Sequence, residues 1–130
     1  MAARPETKQV YIPMTKRVYN QKDLASLVVG DKVMLDFTSA GEQLPFAYEG
    51  ISDDRLLFLT YNVSNGNIER AKIRPNVLSF DGSGNLLVGE ISLQDCDFYH
   101  PNNKDIIPHH HLGNVDKDLA LLRQAGLYRE

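Results

Sequence analysis

The sequence predicts a mainly β fold: a small antiparallel barrel, or a strongly curled five- to six-stranded sheet, with a short N-terminal and a C-terminal helix. Three observations lead there. From Lys32 the hydrophobic period is two, with Val33, Leu35 and Phe37 interleaved with Met34 and Asp36, as a half-buried strand requires. Apolar runs of strand length then recur at short intervals, separated by residues that favour turns. No helix-length segment lies between those runs, so consecutive strands have no crossover helix and are expected to pair antiparallel. Curling such a meander into a barrel would remove its exposed edges.

The elements follow in order. Residues 1–17 carry Pro5 and Pro13 and show no sustained period, which predicts a flexible arm with one extended stretch at Gln9–Ile12. Residues 18–130 are expected to form a single domain. Asn20 is a helix-cap candidate, followed by about two turns with Leu24, Leu27 and Val28 on one side and Gly30-Asp31 as the stop. After the strand from Lys32, further strands are expected at Pro45–Ile51, Arg55–Asn62, Asn67–Arg74, Val77–Phe80 and Leu86–Leu93. Asn65-Gly66 predicts a tight type I′ hairpin, because this pair readily takes positive φ. Asp81-Gly82-Ser83-Gly84-Asn85 supplies a longer hairpin loop, and Pro75 interrupts the ladder before Val77. Residues Cys96–Leu112 lose periodicity around Pro101 and Pro108 and read as a long surface connection. Asn114 or Asp116 then caps a helix through Ala125, with Val115, Leu119 and Leu122 on one stripe and Gly126 ending it.

Composition narrows the function classes. A chain of 130 residues with 42% hydrophobic content supports one core. Its longest apolar runs are strand-sized, far below the roughly 18 residues of a membrane helix, so no membrane partner is expected. Cys96 is the single cysteine and cannot form an internal disulfide. The first residues lack the apolar core of a signal peptide, which makes a cytoplasmic address the expectation. Charge is uneven. Residues 1–22 carry Arg4, Lys8, Lys16, Arg17 and Lys22 against Glu6, a net +4 that leaves −7 for residues 23–130. An acidic body argues against nonspecific duplex binding, which needs a basic stripe to displace counterions.

Two groups of residues carry candidate chemistry. His109-His110-His111, together with His100, is a local concentration of imidazoles, and imidazole nitrogen is a common ligand for zinc, nickel or copper. In an extended segment His109 and His111 would point the same way, and His100 could complete a set for a divalent metal. Against this, no spaced motif such as H-E-x-x-H accompanies them. The second group is Arg70, Lys72 and Arg74, which alternate with Ala71 and Ile73 and would share one strand face. Cations at that spacing could contact successive phosphates of RNA or a nucleotide, with Tyr48 or Tyr61 as stacking surfaces. The competing reading is a solvent face whose partners are Glu49, Glu69 and Glu90.

Weaker signals resolve as structure. Gly82-Ser83-Gly84 lacks the Lys-Ser/Thr ending of a phosphate loop, and Cys96 sits between Asp95 and Asp97, which oppose thiolate formation. Asp53-Asp54 reads as a turn rather than an acid/base pair. No catalytic residue is assigned. Over residues 20–93, the run Leu27 to Val33 followed by Gly50-Ile51-Ser52-Asp53-Asp54-Arg55-Leu56 resembles Sm-like and PilZ-type small barrels in its hydrophobic spacing. The PilZ R-x-x-x-R arm is absent, and Asn62-Val63-Ser64-Asn65-Gly66-Asn67 has Asn67 where the D/N-x-S-x-x-G turn needs glycine. No family is assigned and no binding residue is carried over. The sequence therefore leads to a noncatalytic binding or assembly module, with a protein partner or a second copy as the expected contact. A metal-binding protein or metalloenzyme built on the histidines, and an RNA or nucleotide binder built on Arg70, Lys72 and Arg74, are the alternatives.

Overall fold

A computed structural model describes residues 14–102 and 115–128. In chain order it contains α1 (Gln21–Ala25), β1 (Lys32–Phe37), β2 (Glu42–Ser52), β3 (Arg55–Asn62), β4 (Asn67–Ile73), β5 (Leu78–Phe80), β6 (Leu86–Val88), β7 (Cys96–Tyr99) and α2 (Val115–Gln124). Single 3-10 turns at Pro75–Val77 and Leu93–Asp95 precede β5 and β7.

The helix ends are set locally. At α1 the Asn20 side chain accepts the Asp23 backbone N–H at 2.9 Å, and the Asp23 carboxylate accepts the Tyr19 N–H at 2.9 Å. The helix is shorter than the two turns its sequence suggests: Leu24 and Leu27 are buried, whereas Val28 is exposed. Gly126, at φ 75°, ends α2 in a Schellman motif. Its N–H donates to Arg123 O, while the Leu127 N–H donates to Leu122 O at 2.8 Å.

The strands form one seven-stranded sheet in the order β5-β6-β1-β2-β3-β4-β7. The β1–β2–β3–β4 meander is antiparallel, as the alternation predicts. Three expectations are corrected. First, the sheet is mixed and open rather than a closed antiparallel barrel: β6 pairs parallel with β1, Leu35 opposite Leu86, and β5 and β7 are the two ends. The ban on parallel pairing applied to consecutive strands. Here the entire β2–β5 segment connects the parallel pair, so no crossover helix is needed. Second, Cys96–Tyr99 is a strand, pairing antiparallel with β4 from Ile68↔Tyr99 to Ala71↔Cys96. Third, the β3–β4 connection is a four-residue loop, not a two-residue type I′ turn. Gly66 takes positive φ there but Asn65 does not. The Asn62 and Asn65 side chains instead accept the backbone N–H groups of Ser64 and Asn67, each at 2.9 Å.

Residues at the end of the expected arm join the sheet. Thr15 bridges Lys32 and the Lys16 N–H donates to Lys32 O at 2.6 Å, while Val18, the first residue of the expected domain, is fully buried. Residues 1–13 lie outside the described residues.

Alternation along β3 separates two apolar clusters. Leu56 and Phe58 join Val33, Leu35, Phe46, Ile73, Leu86 and Val88 in the larger one. Leu59 joins Ile68, Tyr99 and Leu122 in the smaller one, which binds α2 to the opposite face. No helix among the described residues is long and apolar enough to cross a membrane.

Candidate functional site

The face beneath α2 carries a buried charge network centred on Arg70. A register shift in β2 between Tyr48 and Gly50 inserts Glu49 as an extra residue, and Gly50 adopts φ 112° there. Glu49 thereby reaches Arg70, accepting from Nε at 2.8 Å and from Nη2 at 3.1 Å in a bidentate pair. Asp118 of α2 accepts from Arg70 Nη2 at 3.0 Å and from the Tyr99 hydroxyl. Asp97 of β7 faces Arg70 Nη1 at 3.7 Å and Lys72 Nζ at 3.6 Å. The Arg70 side chain has no exposed surface. Burial opposes its charge, but Glu49 and Asp118 outweigh that effect and push its pKa above the ordinary arginine value. Burial, reinforced by Asp118, also raises the Tyr99 phenol well above its usual range.

This geometry determines where the sequence's cations lie. Arg70 and Lys72 share a strand face, as expected, but that face is not an open one: Arg70 is held by Asp118 of α2 and by Glu49, and Lys72 is buried with its charge toward Asp97 of β7. Arg74 lies beyond the end of β4 and is exposed. The three therefore do not form one solvent-facing stripe. Tyr48 is buried against Phe58, and the Tyr61 ring meets Tyr128 edge to face at 4.7 Å. Neither ring is placed beside an open row of cations.

Of the four histidines, His100 is described. Its Nδ1 accepts the Asn102 backbone N–H at 3.1 Å, and its Nε2 packs against Gly66, where an added Cβ would approach to 2.9 Å. His109, His110 and His111 lie outside the described residues. Among the described residues no group of three or more His, Cys, Asp or Glu side chains is arranged to hold a metal.

The opposite face of the sheet opens into a cleft of about 260 Å³. Phe37 of β1, Leu44 and Phe46 of β2, Ile91 beyond β6, and Cys96 and Phe98 of β7 line it. It thus lies where the curled sheet brings residues near both ends of the strand order together without pairing them. Phe98 is 48% exposed, a large apolar ring left half in water. The polar components of the wall include two carboxylates, Glu42 and Glu69. Asn62 Nδ2 donates to Glu69 at 3.0 Å and fixes that carboxylate. Arg70 borders the cleft, but its guanidinium is held under α2. Burial first, then Asp95, Asp97 and Glu69, raise the Cys96 thiol pKa.

Sequence reasoning missed this cleft because its β7 wall was read as loop. The available signal was the alternation of Cys96 and Phe98 with Asp97 and Tyr99, four residues long and overshadowed by Pro101. Glu49 and Asp118 had no local signal, since each is defined by a residue distant in sequence. No protein-family model matches the chain, and no curated protein or solved structure is significantly similar to it.

Proposed function

We propose that this protein is a noncatalytic binding module whose ligand occupies the cleft beside β7. The observation carrying this reading is the half-exposed Phe98 ring on the wall of an apolar cleft shared by β1, β2 and β7. Concave apolar surface with a few fixed polar groups is the usual form of a ligand site. The aromatic and aliphatic lining supplies binding energy by burial, and Glu42 and Glu69 supply orientation.

Nile red, a neutral apolar dye, tests the reading without knowledge of the natural ligand. The wild-type protein is expected to bind it at one site, with fluorescence enhancement, and Phe98→Arg to bind it about tenfold more weakly. Phe98 is partly in solvent, so the variant is expected to keep the fold, as far-UV circular dichroism would show. Equal dye binding by both folded proteins would remove the cleft as the site.

A further inference from the structure

We propose that the cleft binds a small aromatic amine, its ring seated among Phe37, Phe46 and Phe98 and its protonated nitrogen held by Glu69 and Glu42. This rests on the reading of the cleft as the ligand site. Size, lining and charge each narrow the occupant.

Size sets the scale. The cleft holds about 260 Å³, short of the roughly 300–1,000 Å³ that drug-sized ligands fill. A dry cavity of about 150 Å³ accepts one benzene ring. The space therefore suits a single ring carrying a short chain rather than a nucleotide or a peptide.

The lining selects the body of the ligand. Three aromatic rings border the cleft, and two of them, Phe37 and Phe46, lie 5.7 Å apart with their planes tilted at 59°. Rings favour tilted or offset ring neighbours beyond what their buried area alone provides, so such a wall prefers an aromatic body to an alkyl chain. Alternation also fixes where the polar groups stand relative to that wall. Glu42 shares a face of β2 with Leu44 and Phe46, and Glu69 is directly opposite Phe98 across the β4–β7 ladder. Both carboxylates are thus on the cleft side of the sheet, away from the network around Arg70.

Charge selects the amine. Asn62 Nδ2 donates to Glu69 Oε2 at 3.0 Å while Asn62 Oδ1 accepts the Ser64 N–H at 2.9 Å, so the amide is fixed at both ends and holds the carboxylate in place. Among the described residues no cation pairs with Glu69 or Glu42. Arg70, the cation bordering the cleft, is enclosed with Glu49 and Asp118. Two carboxylates without a counter-charge on an apolar wall complement an ammonium group and repel an anion. The half-exposed Phe98 ring beside Glu69 adds a surface over which that ammonium is also attracted.

The probe is phenethylamine, titrated against the Nile red complex of the whole protein at neutral pH, where the amine is protonated. Displacement of the dye is expected, with amide chemical-shift changes centred on Phe37, Cys96 and Phe98. Phenethyl alcohol, the same shape without the charge, is expected to compete about tenfold more weakly, and the anion hydrocinnamate more weakly still. In Glu69→Gln, which keeps the acceptor for Asn62, the amine is expected to lose about threefold and the alcohol nothing. Adding Glu42→Gln is expected to bring amine and alcohol within about twofold of each other, and added salt to narrow the wild-type preference. Equal competition by amine and alcohol in the wild type, or a preference that survives the double substitution, would overturn the proposal while leaving the cleft a ligand site. Dye binding without displacement by the amine at about 10 mM would do the same, as would shift changes confined to other parts of the protein. Absence of dye binding would remove the reading of the cleft itself, and this proposal with it.

Discussion

The two faces of the sheet are held in opposite ways. On one, Phe58, Leu35, Ile73 and Leu86 interlock in a cluster that contains no charged side chain. On the other, Leu59, Ile68 and Leu122 surround three carboxylates and two cations: Glu49, Asp97 and Asp118 with Arg70 and Lys72. Apolar packing is nondirectional and tolerates exchange of similar volumes. A buried ionic network requires every partner, because removing one leaves the others charged in a low-dielectric interior. The network also connects elements that an apolar patch would leave free to slide: Arg70 of β4 is joined simultaneously to the β2 bulge and to α2.

Replacing the centre of the network is the strongest way to break that contrast. Arg70→Met removes the charge while keeping much of the volume, strands Glu49, and leaves Asp118 with the Tyr99 hydroxyl alone and Asp97 with Lys72 alone. It is expected to cost about 3–5 kcal/mol, read from urea unfolding. Adding Glu49→Leu and Asp118→Leu to the same variant is expected to recover much of that loss. Failure to recover would mean the face depends on its charges for more than mutual neutralisation.

Tyr99→Phe is a finer test of the same face. It deletes the hydroxyl that donates to Asp118 and is expected to cost about 2 kcal/mol, since the carboxylate loses a buried donor. Its pH signature has a definite sign. The folded phenol titrates above its ordinary value of 10.0, so its stabilisation is complete below pH 10 and is lost as the pH rises toward the folded value. Wild-type stability should therefore decline more steeply above pH 10 than that of Tyr99→Phe. The variant retains the smaller slope from Tyr48, whose pKa burial also raises. Identical slopes would show that the Tyr99 hydroxyl is not buried beside Asp118 in solution.

The apolar face is expected to respond least. Phe58→Leu should cost about 1–1.5 kcal/mol despite altering a fully buried ring, because neighbouring side chains can close around the smaller group. A loss as large as that of Arg70→Met would abolish the distinction between the faces.

These differences follow how each feature is encoded. The alternation of Val33, Leu35 and Phe37, the cap at Asn20 and the stop at Gly126 depend on neighbours within a few residues, and the sequence alone determined the strands of the meander and both helices through them. The same β4 segment, Asn67 to Ile73, reads as amphipathic with a solvent face of Arg70 and Lys72. Periodicity reports which residues share a face, but not what covers that face. Only the packing of α2 and the bulge at Glu49 decided that Arg70 is enclosed among carboxylates, and only the pairing of β7 set Asp97 beside Lys72. Tertiary structure likewise decided that β6 returns beside β1 and that β7 pairs with β4 at the end of the strand order. Strand pairing over tens of residues is settled by contacts formed after the local elements exist, and three- and four-residue strands carry too little pattern to announce their partners.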